Sequence, residues 1–214
     1  MYDMKQVPYH NNTGNACALA CYTMVAQYLM PEAGITFEQL AKIGNWREGY
    51  VVWEYPIWNW LLDRGVYIVD YEPSDIISWA GKGVDGLEAS VPAKEFEWYK
   101  RNTYDLDEVT ESVKITIHHP SFTLINRVPV WADVVAEYGQ PGICDVTLNS
   151  KVLNHEEGVA VHRVVLLDIT EDEVVFHDPN LDGSGIHRRE PLSYFRNSFE
   201  SLESRALARY SVKQ

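Results

Sequence analysis

The segment 16–30 (Ala-Cys-Ala-Leu-Ala-Cys-Tyr-Thr-Met-Val-Ala-Gln-Tyr-Leu-Met) constrains this chain more than any other stretch. It reads as a helix that is apolar nearly all round, so no face of it can be left to water. Such a helix must run through the middle of a molecule and be covered on every side. Pro31 ends it. The chain's 214 residues are enough for one good-sized core, or for one core with an inserted subdomain.

Helical signals dominate the first part. Thr36 is placed to cap a helix from Phe37 to Ile43, with Glu38 in its first turn and Gly44 at its end. Pro56 to Arg64 forms a third helix closing at Gly65, and Val66 to Val69 a short strand. Between about 72 and 128 the pattern is weaker. Ser74 can cap a helix through Trp79, Lys94 to Lys100 forms another, and Asp105–Glu111 fits helix or loop. This region is expected to be largely helical and to flank the active site. Trp131 to Tyr138 is a further helix, ended by Gly139.

From Gly142 onward the texture changes. Ile143 to Leu148, Val159 to Leu167, Val174 to His177 and Leu207 to Val212 are rich in β-branched and aliphatic residues, the composition of strands. A hairpin is expected to turn at Thr170 to Glu173. The expected plan is α+β and a single domain over 1–214, with a mainly helical half at 1–140 and an antiparallel sheet half at 141–214.

Cys17 stands at the mouth of the apolar helix. Unpaired N–H groups and the positive end of the helix dipole favour a thiolate there. The preceding loop, Asn11-Asn12-Thr13-Gly14-Asn15, can bring amides close to the sulfur, as a tetrahedral oxyanion requires. Asn11 is the expected side-chain donor, with the Cys17 N–H as its partner. Far downstream, His162 and Asp178 flank the predicted hairpin. At even register both project from the same face as close neighbours. A carboxylate beside an imidazole fixes its tautomer and stabilises the imidazolium that forms when it takes the thiol proton. Spacing does not show how Cys17 reaches His162; the helix has to pack on this sheet.

These blocks resemble the C39-like cysteine peptidases, a branch of the papain-like fold. The similar stretches are Val7-Pro8-Tyr9, Asn11, Cys17, Met24-Val25, Gln140-Pro141-Gly142-Ile143, His162-Arg-Val-Val-Leu-Leu, Phe176-His-Asp178-Pro179 and Arg189-Glu-Pro-Leu-Ser193-Tyr-Phe195. The family pattern has an amide side chain six residues before the cysteine and Gly-Pro after it. Here Asn11 stands for the usual Gln, Ala18-Leu19 for Gly-Pro, and His162 follows Val rather than Gly. The resemblance implies a papain-like fold with the apolar helix as the catalytic one. It also implies a metal- and cofactor-independent hydrolase or acyltransferase acting on a peptide or amide bond. The rival reading is a binding module that keeps the fold, performs no chemistry and holds a peptide in an aromatic-rich cleft.

The net charge of −13 argues against nucleic acid and anionic membrane as partners, since both need clustered Lys and Arg; it suits a basic peptide or amine substrate, though acidity that merely keeps the protein in solution is the simpler reading. No apolar run approaches the ~20 residues of a membrane span, and the polar start lacks a signal peptide's apolar stretch. Cytoplasmic residence is therefore expected. Three cysteines, an odd number, argue against a disulfide framework. Cys21, one turn beyond Cys17, reads as core packing or as a resolving thiol, and Cys144 as core. His177 reads as a surface or structural residue, and His118-His119 as loop; no zinc-site spacing accompanies them. In the aromatic cluster at 46–60, Trp53 and Trp58 are the candidates for lining a substrate groove.

Overall fold

The structure is a computed structural model that describes residues 4–12, 14–180 and 183–212; Met1 to Asp3 and Thr13 of the loop before the cysteine lie outside these. The apolar segment is a helix, α1 (Cys17–Leu29), with Leu19 through Ala26 buried. Thr36 caps α2 (Phe37–Ile43) in a reciprocal box with Gln39. Helix α3 (Tyr55–Leu62) leads into strand β1 (Val66–Tyr71). Next come α4 (Ile76–Lys82), α5 (Val84–Ser90), α6 (Ala93–Asn102) and α7 (Leu106–His118). The cap of α4 is Asp75, not Ser74: its carboxylate accepts the Ser78 N–H, while Ser74 is bonded to Glu72. His118 closes α7 instead of lying in a loop, its ring bonded to the Lys114 carbonyl.

Strand β2 (Phe122–Ile125) and helix α8 (Trp131–Tyr138) lead to β3 (Ile143–Asn149) and the short α9 (Ser150–Leu153). The hairpin of β4 (Val161–Ile169) and β5 (Glu173–His177) is followed by β6 (Arg188–Pro191), α10 (Leu192–Glu200) and β7 (Leu207–Val212). All seven strands form one mixed sheet in the order β2-β1-β7-β3-β4-β5-β6. The α+β plan holds, but the sheet is not confined to residues beyond 141. β1 is inserted beside β7, antiparallel to it, and β2 pairs with β1 in parallel at the edge. Val66 and Ile68 are buried in the core on one face of the sheet and Tyr71 in the core on the other.

Strand alternation divides the apolar interior into two cores. On one face Ile143, Val165, Leu167, Ala208 and Tyr210 pack with α1, α2, α3 and α7. On the other, Cys144, Val146, Leu148, Val164, Leu166 and Phe176 pack under α8 and α10. α1 therefore lies between the sheet and the other helices, as its all-round apolarity demands. No helix of the described residues is long and apolar enough to cross a membrane.

Candidate active site

Cys17 is the first residue of α1 and Ala16 its cap. The loop before it is held by Asn12, whose Oδ1 accepts the Ala16 N–H (3.0 Å) and whose Nδ2 donates to the Gly14 carbonyl (3.0 Å). The Ala20 N–H is the first to find a partner within the helix, at the Ala16 carbonyl. The N–H groups of Cys17, Ala18 and Leu19 thus lie outside the helical ladder, at its positive end.

His162 and Asp178 meet because of a bulge. The turn after β4 sets Ile169 opposite Val174 and Asp168 opposite Val175. Continued unbroken, that register would put Asp178 opposite Val165, on the face His162 does not share. Between Leu166 and Asp168 the pairing slips by one residue, so that Leu166 faces Phe176 and Val165 faces His177. Asp178 then follows Phe176 to the face of His162. The His162 Nε2–H donates to Asp178 Oδ1 at 2.6 Å. This leaves Nδ1 for the thiol: Cys17 and His162 line one cleft, close enough for each to shift the ionisation of the other. α1 packs on the opposite face of β4, and its N-terminus reaches the starting end of that strand, so the two sides join at the sheet's rim.

The charges of these groups support one another. Burial pushes the Cys17 thiol up, but the hydrogen bond and charge of His162, with a main-chain bond and the guanidinium of Arg163, bring it below its ordinary value. Burial lowers His162, yet its bonds to Asp178 and Cys17 raise it to about 10. Burial raises Asp178, while His162 and Arg188 hold it below the usual carboxylate range. Each of these shifts favours a thiolate facing an imidazolium over the neutral pair.

Arg188, which the sequence reading did not single out, completes the network. Its Nη1 donates to Asp178 Oδ2 (2.8 Å) and Asn154 Oδ1 (2.9 Å), and its Nη2 to the Leu153 carbonyl and Glu190 (both 2.9 Å). The Asp178 main chain is fixed by Gly185, whose carbonyl accepts the Asp178 N–H; a Cβ at Gly185 would lie 1.7 Å from the Asp178 oxygen. The Tyr9 hydroxyl is shared between Asn11 Oδ1 (3.0 Å) and the Asp178 carbonyl (3.1 Å), which ties Asn11 to the same loop.

His177 is not a surface residue. At 1% exposure it is buried, its Nε2–H donating to the Val7 carbonyl (3.0 Å) and its Nδ1 accepting the His187 N–H (3.2 Å). It clips the N-terminal segment to the loop that carries Asp178. Cys21 and Cys144 are buried, as expected of core residues; burial drives the Cys21 thiol far up and the Cys144 thiol to about 12.

A cleft of about 430 Å³ opens on Cys17 and His162. Trp53 lines it, with Trp79 and Tyr99 from the helical segment α4–α6. Trp58 does not. It lies at helical spacing from Tyr55 and Leu62 on the buried side of α3, 1% exposed, with its indole N–H on the Tyr210 hydroxyl (3.2 Å). Ala18 adds a methyl group to the cleft wall, and Leu19 is core.

Comparison with protein-family models, with curated proteins and with solved structures finds no match for this chain.

Proposed function

We propose that this protein is a cysteine-dependent hydrolase of a peptide or amide bond, of the C39-like, papain-like kind. The observation that carries the reading is His162, bonded to Asp178 and lining with Cys17 the cleft that exposes the thiol. A buried helix bearing the thiol at its N-terminus, packed on an antiparallel pair that carries the base and leads into its carboxylate, also supports it.

The Cys17 thiolate attacks the substrate carbonyl carbon, and its sulfur–carbon bond forms as the carbonyl π pair moves to oxygen. N–H groups at the mouth of α1 and the Asn11 amide stabilise that oxyanion. On collapse, the carbon–nitrogen bond breaks and His162 gives its proton to the leaving amine. Neutral His162 then takes a proton from water, whose oxygen attacks the acyl-enzyme and releases the acid and the thiolate. An amine or thiol in place of that water gives acyl transfer. Asp178 stays ionised throughout and orients the ring.

The test is the pH dependence of iodoacetamide alkylation, with each modified cysteine located by mass spectrometry. Cys17 is expected to label fast well below the ~8.5 of an ordinary thiol, and to lose this in His162→Ala. Labelling of Cys17 with an ordinary thiol's profile would instead leave a peptide-binding module.

A further inference from the structure

The cleft beside Cys17 is built from aromatic rings and carboxylates. Trp53 is the hub of one wall, its ring centroid 5.1 Å from those of both Trp79 and Tyr99. Glu54, Glu72 and Glu95 contribute carboxylates to the lining. The lining holds two cationic side chains, His162 and Arg163, and each is already engaged. His162 is on Asp178, and Arg163 Nη1 is 2.8 Å from Asp145, a fully buried carboxylate. Asp70 lies buried nearby, its carboxyl held well above the usual carboxylate range by burial and by Glu72 and Glu54. Carboxylates therefore outnumber the cations available to them.

Two further features mark the space as a ligand's. Thr147 lines the cleft and is 6% exposed, and its hydroxyl oxygen is buried with no hydrogen-bond partner. The lining also carries Ile76, Leu87 and Val91, which suit an alkyl chain. Aromatic faces attract organic cations through the ring quadrupole, most strongly when water is excluded. Among the described residues no three His, Cys, Asp or Glu side chains converge as ligands for a metal ion, so a compact inorganic cation has no cage here.

We infer that the cleft binds an organic cation, the ammonium- or guanidinium-bearing side chain of a lysine or arginine residue beside the bond presented to Cys17. Burial and the neighbouring Glu72 outweigh the pull of Arg163 and raise Glu54 to about 7. A cation seated against it restores the ionised form, so binding strengthens as pH rises through that range. The inference rests on the proposed function for the direction in which the substrate runs, but not for the binding itself.

Calorimetry on the Cys17→Ala protein at pH 8 tests it without any chemistry at the thiol. The probes are N-acetyl-lysine methylamide against N-acetyl-norleucine methylamide, and the arginine compound against its neutral citrulline isostere. Each cationic compound is expected to bind about ten-fold tighter than its isostere, a preference lost in the Glu54→Gln/Glu72→Gln protein. Equal affinity within each pair, binding of neither compound at millimolar concentration, or a preference that survives the double substitution would overturn the inference. The comparison within each pair needs no variant of the carboxylates. A Cys17 that alkylates like an ordinary thiol in a protein that still prefers the lysine compound would sink the hydrolase and keep the cation site.

Discussion

His162 and Arg163 are neighbours on β4, yet they anchor two electrostatic assemblies of opposite character. Around His162 every charge has a partner: Cys17 and Asp178 on the ring, Arg188 on the second carboxylate oxygen, and Leu153, Asn154 and Glu190 on the guanidinium. Around Arg163 one guanidinium serves Asp145 directly and Glu54, Glu72 and Asp70 at longer range, and all four carboxyl groups are pushed up by burial. A fully paired network holds its members still, which a proton-transfer relay needs. An underpaired one is short of positive charge, which a ligand can supply. Strand alternation sends the two side chains off β4 in opposite directions, yet both border the cleft beside Cys17.

Breaking the first assembly should cost reactivity and spare the fold. His162→Ala is expected to lower the rate of Cys17 alkylation at pH 7 by about 10²–10⁴-fold with unchanged circular dichroism. The wild-type rate should climb with pH as Cys17 ionises, from below the ordinary thiol range, and any hydrolytic rate should fall again as His162 loses its proton near pH 10. A variant that labels as fast as wild type would remove His162 from the relay.

Breaking the second should cost the fold. Arg163→Met strands Asp145, which is 0% exposed and keeps only the Tyr210 hydroxyl (2.9 Å). Removing one partner of a buried pair costs about 3–5 kcal/mol, to be read as a drop in the urea midpoint. Equal stability would mean that the carboxyl groups are already protonated and that Arg163 is not their counter-ion. Gly185→Ala probes the seam between the assemblies and the sheet. Its Cβ would overlap the Asp178 carbonyl, so about 1–3 kcal/mol of stability is expected to go, with slower alkylation as Asp178 shifts. Loss of stability at an unchanged alkylation rate would show that Asp178 need not be held that tightly.

These contrasts mark where the sequence was legible. The apolar periodicity of 17–29 and the β-branched runs after 142 reflect burial, a property of each segment by itself, and the elements lie within a residue or two of expectation. The Thr36 cap and the hairpin turn are local chemistry and were equally readable. The even register of His162 and Asp178 was not. The turn alone sets the wrong parity, and only the bulge near Leu167, in a run of similar aliphatic residues, corrects it. Trp53 and Trp58 looked alike in composition; helical phase sends one to the cleft and the other to the core. β2 was hidden by its four-residue length and its edge position, and Arg188 because its partners come from α9, β6 and the Asp178 loop.

The smallest expected effect is also the sharpest on the difference between the assemblies. Glu54 is about 7 in the folded protein, above the 4.5 of a free glutamate. Folding therefore favours its protonated form, and its contribution to stability is fully present below the unfolded value and lost as pH rises through about 7. Glu54→Gln removes that penalty. The variant should match wild type near pH 4.5 and exceed it at pH 8 by about 1–2 kcal/mol, discounted for the water that reaches the open cleft. Asp178, held low, has the opposite sign: its contribution is present at neutral pH and is lost as pH falls through its folded value. Thermal midpoints of wild type and Glu54→Gln from pH 4.5 to 8.5 read the first directly. Parallel curves would mean that Glu54 is already neutralised in the empty cleft, and the surplus of carboxylates around Arg163 would shrink by one.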